Sequence, residues 1–305
     1  MKIYKNSKNL VNHFKHLKKI QISKNKEDGF LDLFLFPINS RKFDYDLIVA
    51  CLRDSFLDYA LSRRTLEKFE GKWASAVHHA KNLFVNPKKN EGELGEFFLF
   101  CFLEGFHNAP KILTKLELKT SGEMYFHESD AVHIKRVSDN KYHLIYGESK
   151  MHKNIESALP NAFNSLSKFA NEINKNKNQK SIEHEKFLIS NNLEKENLFE
   201  DGEEEVMEAI LYPCEKSNKN IIIDDAFSIF IGFEIDIDNE TKKYSSCEFS
   251  NVIERKVIDK VEKQKDKIYK LIIENNLLGY TFYIFIVPFT EINNKRKEIL
   301  DRVLN

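Results

Sequence analysis

The alternation of apolar and polar positions divides the chain into helical and extended stretches. Asn9 to Ile20 places Leu10, Phe14 and Leu17 on one helical face with lysines around the rest, which predicts a helix. Phe30 to Phe36 (FLDLFLF) alternates as a strand does. Residues 43–86 read as two helical segments. Leu47, Ile48, Cys51, Leu52 and Leu57 mark the buried face of the first, and Lys72 to Phe84 forms the second. Asn90 to Phe106 (NEGELGEFFLFCFLEGF) predicts another helix, with Asn90 as N-cap, Glu93 at N3, and Leu94, Phe97, Phe98, Cys101 and Phe102 as its apolar face. Gly92 and Gly95 weaken that helix, so close backbone approach to a sheet is expected to require them.

Farther along, Ile112 to Leu118 alternates as a strand. Asp130 to Val137 and Tyr142 to Met151 read as two more, joined at Ser138-Asp139-Asn140-Lys141 by residues that favour a hairpin turn. Ile155 to Ile173 is helical, with Pro160 marking where the helix proper is expected to begin. The charge runs KNKNQK and EDGEEE read as solvated, and a helix-and-loop insertion is expected near 174–215. Ile221 to Ile237 predicts a central strand, Ser250 to Asn275 one long amphipathic helix, Tyr280 to Val287 a last strand stopped by Pro288, and Glu291 to Leu304 a closing helix.

Composition changes this picture little. The 305 residues are 42% hydrophobic and 31% charged, enough to bury a substantial core. Lys plus Arg equals Asp plus Glu at 47 each, so any grip on nucleic acid must come from a local patch or a partner. Cys51, Cys101, Cys214 and Cys247 lack metal-ligand spacing and are expected to be buried, reduced thiols. The adjacent His78 and His79 point about 100° apart on a helix and cannot chelate one metal well. The opening MKIYKNSKNL has no signal-peptide apolar region, and no apolar run approaches the ~18 residues of a membrane span, so a cytoplasmic location is expected.

Chemistry concentrates in Ser129 to Met151 (SDAVHIKRVSDNKYHLIYGESKM). Glu148 and Lys150, two apart on a strand, face one side while Ser149 faces the other, and Asp130 heads the antiparallel neighbour. Carboxylates gathered there would repel without a cation. Asp130 and Glu148, joined by Glu96 from the preceding helix, form an all-oxygen donor set suited to Mg²⁺ or Mn²⁺. Lys150 could orient a water or stabilise charge on a phosphoryl group. Each fragment alone has a plainer explanation: ExK on a strand is usually a surface salt bridge, and the Glu93/Glu96 pair could simply complement a helix dipole.

The joint order raises those fragments together: a GE-bearing helix, a strand, SD, a strand ending in ExK, then a helix. It resembles the α-β-β-β-α core of the PD-(D/E)xK nuclease superfamily, with Ser129 where a proline is usual. More closely, GELGEFFLF (92–100), SDAVHI (129–134), YGESKM (146–151), FSIFIGFE (227–234), YTFYIFIVPF (280–289) and YALSRR (59–64) resemble the HamA nuclease subunits of Hachiman anti-phage systems and their AbpA-type kin. The resemblance implies an α/β, restriction-endonuclease-like fold: a central mixed sheet flanked by helices, with a helical N-terminal extension. It suggests a mainly helical region over 1–88 and the nuclease core over 89–305. It further implies a Mg²⁺-dependent DNase, with Asp130, Glu148 and Lys150 matching the catalytic set and Glu96 the helical acid, for which Glu93 competes. Ser157, Asn161 and Asn164 are unranked polar candidates on the following helix. The implied partners are DNA and a superfamily 2, HamB-like helicase subunit that restrains the nuclease. A catalytically silent scaffold that recruits or regulates a helicase, and a nuclease acting on RNA, are the alternatives the residues leave open.

Overall fold

The computed structural model describes residues 1–84, 92–113, 116, 129–175, 193, 196, 198–199, 203–211 and 221–305. Its framework is a six-stranded mixed sheet. In chain order the strands are β1 (Lys15–Gln21), β2 (Gly29–Leu35), β5 (Ala131–Ser138), β6 (Lys141–His152), β7 (Ile222–Glu234) and β8 (Thr281–Phe289); β3 (Ile38–Asn39) and β4 (Lys42–Phe43) form a separate small ribbon. The spatial order is β1-β2-β8-β7-β6-β5. The inner pairings β2–β8, β8–β7 and β7–β6 are parallel, and the two outer ones are antiparallel.

This topology corrects the reading of the first 20 residues. Helix α1 covers only Lys5–His13, and Lys15–Gln21 is an edge strand paired with β2. Its lysines lie largely outward, as edge strands that avoid further pairing tend to arrange them. Helical spacing of Leu10, Phe14 and Leu17 therefore lost to pairing with a distant segment. The sheet also runs across the expected division at 88/89, because β2 pairs directly with β8. Of the expected insertion near 174–215, the described part includes α7 (Glu204–Leu211), and much of the rest lies outside the described residues.

Helix α5 (Glu93–Gly105) is the centre of the molecule. Every residue from Glu93 to Glu104 is buried, so it has no solvent face, whereas its sequence suggested a single apolar stripe. On its inner side Phe98 stacks on Phe230 at 5.4 Å and Phe102 on Phe285 at 5.2 Å. On its outer side lie α1 and α2 (Tyr45–Ala60), while α3 (Arg63–Lys68) and α4 (Trp73–Leu83) complete this half. Gly105 lets α1 cross closely, since a Cβ there would lie 2.4 Å from the Ser7 carbonyl oxygen. The expected N-cap Asn90 lies outside the described residues.

The opposite face is covered by α6 (Ile155–Lys175), α9 (Ser246–Glu262) and α10 (Lys265–Glu274), with Phe163 of α6 against Phe282 of β8. Helix α6 starts at Ile155 and keeps Pro160 inside it. Proline cannot donate to the Glu156 carbonyl one turn back; Lys267 Nζ donates to that oxygen instead, at 2.7 Å. The long helix expected over 250–275 is two helices, broken at Lys263–Gln264, the first opened by a capping box between Ser245 and Glu248. A short α8 (Asp238–Lys243) precedes them, and α11 (Ile292–Leu304) packs back against α2 and α5. Pro288 does not end β8, which continues to Phe289. Pairing of β2 with β8 stops at Leu33–Ile286, leaving β8 an edge there, where a missing N–H is tolerated.

Of the strand expected over 112–118, Lys111 forms an isolated bridge to His133, Leu116 is helical, and the remainder lies largely outside the described residues. Cys51 and Cys101 are buried as expected, Cys247 is exposed, and Cys214 lies outside the described residues. His78 and His79 are both exposed. No helix among the described residues is long and apolar enough to cross a membrane.

Gly29 has φ +99°, and a Cβ added there would lie 1.9 Å from the Phe282 carbonyl oxygen. Gly29→Ala should therefore lower the unfolding free energy by at least about 2 kcal/mol in urea denaturation. An unchanged midpoint would show that β2 does not dock on β8 in this way.

Candidate active site

The β5–β6 hairpin forms as its alternation predicts. Ala131 pairs with Gly147, and the Asp130 N–H also donates to the Gly147 carbonyl at 2.8 Å. Ser129 secures this corner. Its Oγ accepts from the Gly147 N–H at 3.1 Å and lies 2.7 Å from the Ala131 carbonyl oxygen and 3.1 Å from that of Gly147. A proline at this position would have no side-chain group to make these contacts.

β5 does not accompany β6 past Gly147. Along that margin the Asp130 carboxylate takes over, its Oδ2 accepting from the Ser149 N–H at 2.8 Å and the Ser149 hydroxyl at 3.0 Å. Asp130 is thus anchored one residue from Glu148. Ser149 faces α5: a Cβ on Gly95 would lie 3.1 Å from Ser149 Oγ, and one on Gly147 would lie 2.7 Å from Leu99 Cδ2. These contacts supply the reason for Gly95 in the helix. Gly92 has no such reason, since a Cβ there meets only the Glu96 carboxylate at 3.6 Å.

The pairing of β6 with β7 is continuous from Lys141 to His152, so side chains alternate without interruption. Tyr146 meets Phe169 of α6, on the face opposite Ser149. Glu148 and Lys150 share the Tyr146 face. They are paired with each other, the Glu148 side chain 5% exposed and that of Lys150 28%. A carboxylate so deeply buried needs such a partner, and Lys150 is held by it in turn.

Glu93 and Glu96 occupy the first turn of α5 on the Ser149 side of the sheet, and both are buried. Tyr59, at the end of α2, donates its hydroxyl to Glu93 Oε2 at 3.4 Å and stacks on Phe97 at 4.5 Å. Burial holds the Tyr59 phenol well above its ordinary pKa, and the carboxylates of Glu93, Glu96 and Asp130 raise it further. Asp130, Glu93, Glu96 and Tyr59 therefore form one acidic neighbourhood, and sequence spacing gave no sign that Tyr59 belonged to it. Glu96 reaches this neighbourhood from α5, while Glu148 stands on β6 itself. Among the described residues, no three His, Cys, Asp or Glu side chains come together as a metal-holding group. Ser157, Asn161 and Asn164 are exposed on α6, and the Ser157 hydroxyl donates to the Asn154 carbonyl at 2.9 Å.

The carboxylates suit a hard divalent cation. Asp130 and Glu148 are all-oxygen ligands, adjacent along the margin of β6, and Mg²⁺ usually takes one or two protein carboxylates with water and phosphate oxygens completing its shell.

Comparison with protein-family models matches residues 9–303 to HamA, nearly the whole chain. The chain belongs to the HamA family. HamA proteins belong to the Hachiman defence system, so this is a Hachiman defence-associated protein. The HamA match spans α1 through α11, including β1 and β2, in keeping with one sheet that unites the two ends of the chain. No curated protein and no solved structure matches the chain.

Ser129→Ala in this HamA protein should cost about 1–2 kcal/mol, because it leaves the Gly147 N–H without its acceptor in a buried corner. Amide exchange should report the loss as faster exchange at Gly147 and Asp130. Wild-type exchange rates there would mean that the hydroxyl does not close the ladder.

Proposed function

We propose that this HamA protein is a metal-dependent DNA nuclease, acting as the effector of its defence system under the control of a superfamily 2, HamB-like helicase partner. The observation that carries the reading is the buried Glu148–Lys150 pair on β6, with Asp130 anchored on the intervening residue, in a chain of the HamA family. Asp130 and Glu148 would hold Mg²⁺ or Mn²⁺. When bound, the ion would polarise the scissile phosphate and lower the pKa of a coordinated water.

The protein's own groups have separable tasks. Ser149 holds the Asp130 carboxylate in place through two hydrogen bonds, which fixes its orientation before any ligand arrives. Lys150 neutralises Glu148 in the described state. Were Glu148 to hold a cation, the Lys150 ammonium would be free to stabilise charge on a phosphoryl oxygen or to orient an attacking water. Glu96, brought in from α5, would add a ligand to the ion and, together with Glu93, keep the Asp130 side of the site acidic. The neutral net charge supports a division of labour in which the partner supplies much of the grip on DNA.

A second reading, a silent scaffold that recruits or regulates a helicase, is favoured by one observation. Glu148 is closed onto Lys150. Two measurements decide between them. DNA cleavage by the protein with its helicase should fall at least ~100-fold on Glu148→Ala or Lys150→Ala, the range for removing a group that stabilises transition-state charge. Full activity in either folded variant would sink the nuclease assignment. Calorimetric titration with Mn²⁺ should show heat that disappears in Asp130→Asn and Glu148→Gln, whereas a scaffold would show none that depends on them.

A further inference from the structure

β6 carries basic groups onward from the Glu148–Lys150 pair. Lys150 and His152 are two residues apart, so they share a face and stand roughly 7 Å from each other. Their ladder partners on β7, Ile231 and Phe233, leave the sheet on the same side. The Lys260 ammonium of α9 lies 5.3 Å over the Phe233 ring, which puts it beside His152 across a single strand spacing of about 4.8 Å. Helix α6 opens at Ile155, just past His152, and there Lys267 of α10 donates to the Glu156 carbonyl at 2.7 Å. Basic side chains thus run from the margin that holds Glu148 and Lys150, across the carboxy ends of β6 and β7, to the break between α9 and α10.

The acids of this region are turned to other partners. Glu156 accepts from Gln264 Nε2 at 3.5 Å, and Glu234 leaves β7 by the other face to accept from the Ile292 N–H at 2.8 Å. Glu262 is paired with Lys18 on β1, and Glu240 with Lys256. Asp259 and Asp266 are exposed, Asp259 standing about 100° round α9 from Lys260. Lys263, exposed where α9 ends, continues the Lys260 stripe three residues on. The positive field of this row is felt at His152, whose pKa is lowered by burial and then by the charges of Lys150 and of Arg296 on α11.

A line of cations leading away from a phosphodiesterase site fits a polymer with one anion per repeat. We propose that this row is the path of a nucleic-acid strand leaving the nuclease site, with the phosphate beside the scissile one on His152 and the following ones on Lys260, Lys263 and Lys267. The path rests on the nuclease reading for its starting point at Lys150, and adds to that reading a direction and a set of positioning residues. Each group has a donor to give. An imidazole keeps a ring N–H even when neutral, and an ammonium has three donors, of which Lys267 spends one on the Glu156 carbonyl. Such contacts fix the strand without reading its bases, so the grip is independent of sequence. A local row also gives a chain of neutral net charge a surface for a polyanion.

Fluorescence anisotropy of the full chain with labelled duplex DNA, single-stranded DNA and RNA of one sequence, in EDTA and at low salt, measures the grip apart from cleavage. The tightest of the three identifies the strand that the path takes. For that probe, Lys260→Glu combined with Lys263→Glu should weaken binding about tenfold or more and lower the slope of log affinity against log salt by about 2. Lys263→Glu alone, at an exposed position where folding is not at stake, should lower the slope by about 1. His152→Ala should weaken binding about threefold or more. Lys68→Glu, the same charge change on α3 beyond the other face of the sheet, should bind as the unaltered protein does. No binding of any probe, an unchanged slope in the Lys260 and Lys263 variants, or an equal loss in Lys68→Glu would each overturn the path and leave the nuclease reading intact. Failure of the nuclease reading shows differently, as full cleavage by Glu148→Ala while the Lys260 and Lys263 variants still lose their grip.

Discussion

The close approach of helix α5 to the sheet is the constraint on which the rest of the molecule depends. Gly95 against Ser149 and Leu99 against Gly147 set the separation, and Phe98 and Phe102 then fill the layer beneath. A larger residue at 95 or 147 would meet a neighbour too closely, and the phenylalanines would lose their fit against Phe230 and Phe285. With α5 seated, α1, α2 and α11 have a second apolar surface to cover. The result is a helix buried on all sides, held between the sheet and an outer helical layer.

That helix also organises the polar chemistry, because its two ends reach different parts of the sheet. At its amino end, Glu93 and Glu96 gather with Tyr59 and Asp130 beside Ser149. At its carboxy end, His107 turns toward Lys135 and Tyr283. Between them the same residues that tie strands together also carry the ends of the chain. Glu104 accepts from the Tyr4 N–H at 2.9 Å and from the Lys111 N–H at 2.8 Å, and burial pushes its pKa up to about 8. The buried Lys111 ammonium lies 2.6 Å from the Leu61 carbonyl oxygen just past the end of α2, a cation where a helix dipole favours one. These polar groups join elements far apart in the chain, which couples the N-terminal segment to the layer around the sheet.

The Glu148–Lys150 pair illustrates how such burial can serve chemistry. A surface pair would contribute little, but a carboxylate this enclosed depends on its partner. Exchange of that partner for a divalent cation would keep the carboxylate neutralised while freeing the lysine. Asp130, by contrast, is held by Ser149 and presents a fixed carboxylate beside that pair. Membership of the HamA family makes this a Hachiman defence-associated protein, in which Glu148 and Lys150 rest in a closed, self-paired form.

Much of the architecture was legible in the amino-acid order because local forces act over short spans. The hairpin of β5 and β6, the GE-bearing helix, and helix α6 follow from periodicity and turn chemistry within some 20 residues. The joint order of Asp130, Glu148 and Lys150 was visible for the same reason. Other features arise between segments far apart in the chain. β1 is a strand because β2 lies beside it, and β2 is central because β8, some 250 residues later, pairs with it. Tyr59 enters the acidic neighbourhood only through the packing of α2 on α5. Glu96 joins Asp130 beside Tyr59 only because α5 packs on the sheet. Residue order alone thus determined which chemical groups the molecule possesses and their sequence along the fold. Tertiary packing decided which of them meet, since a side chain's partners depend on surfaces that no local pattern records.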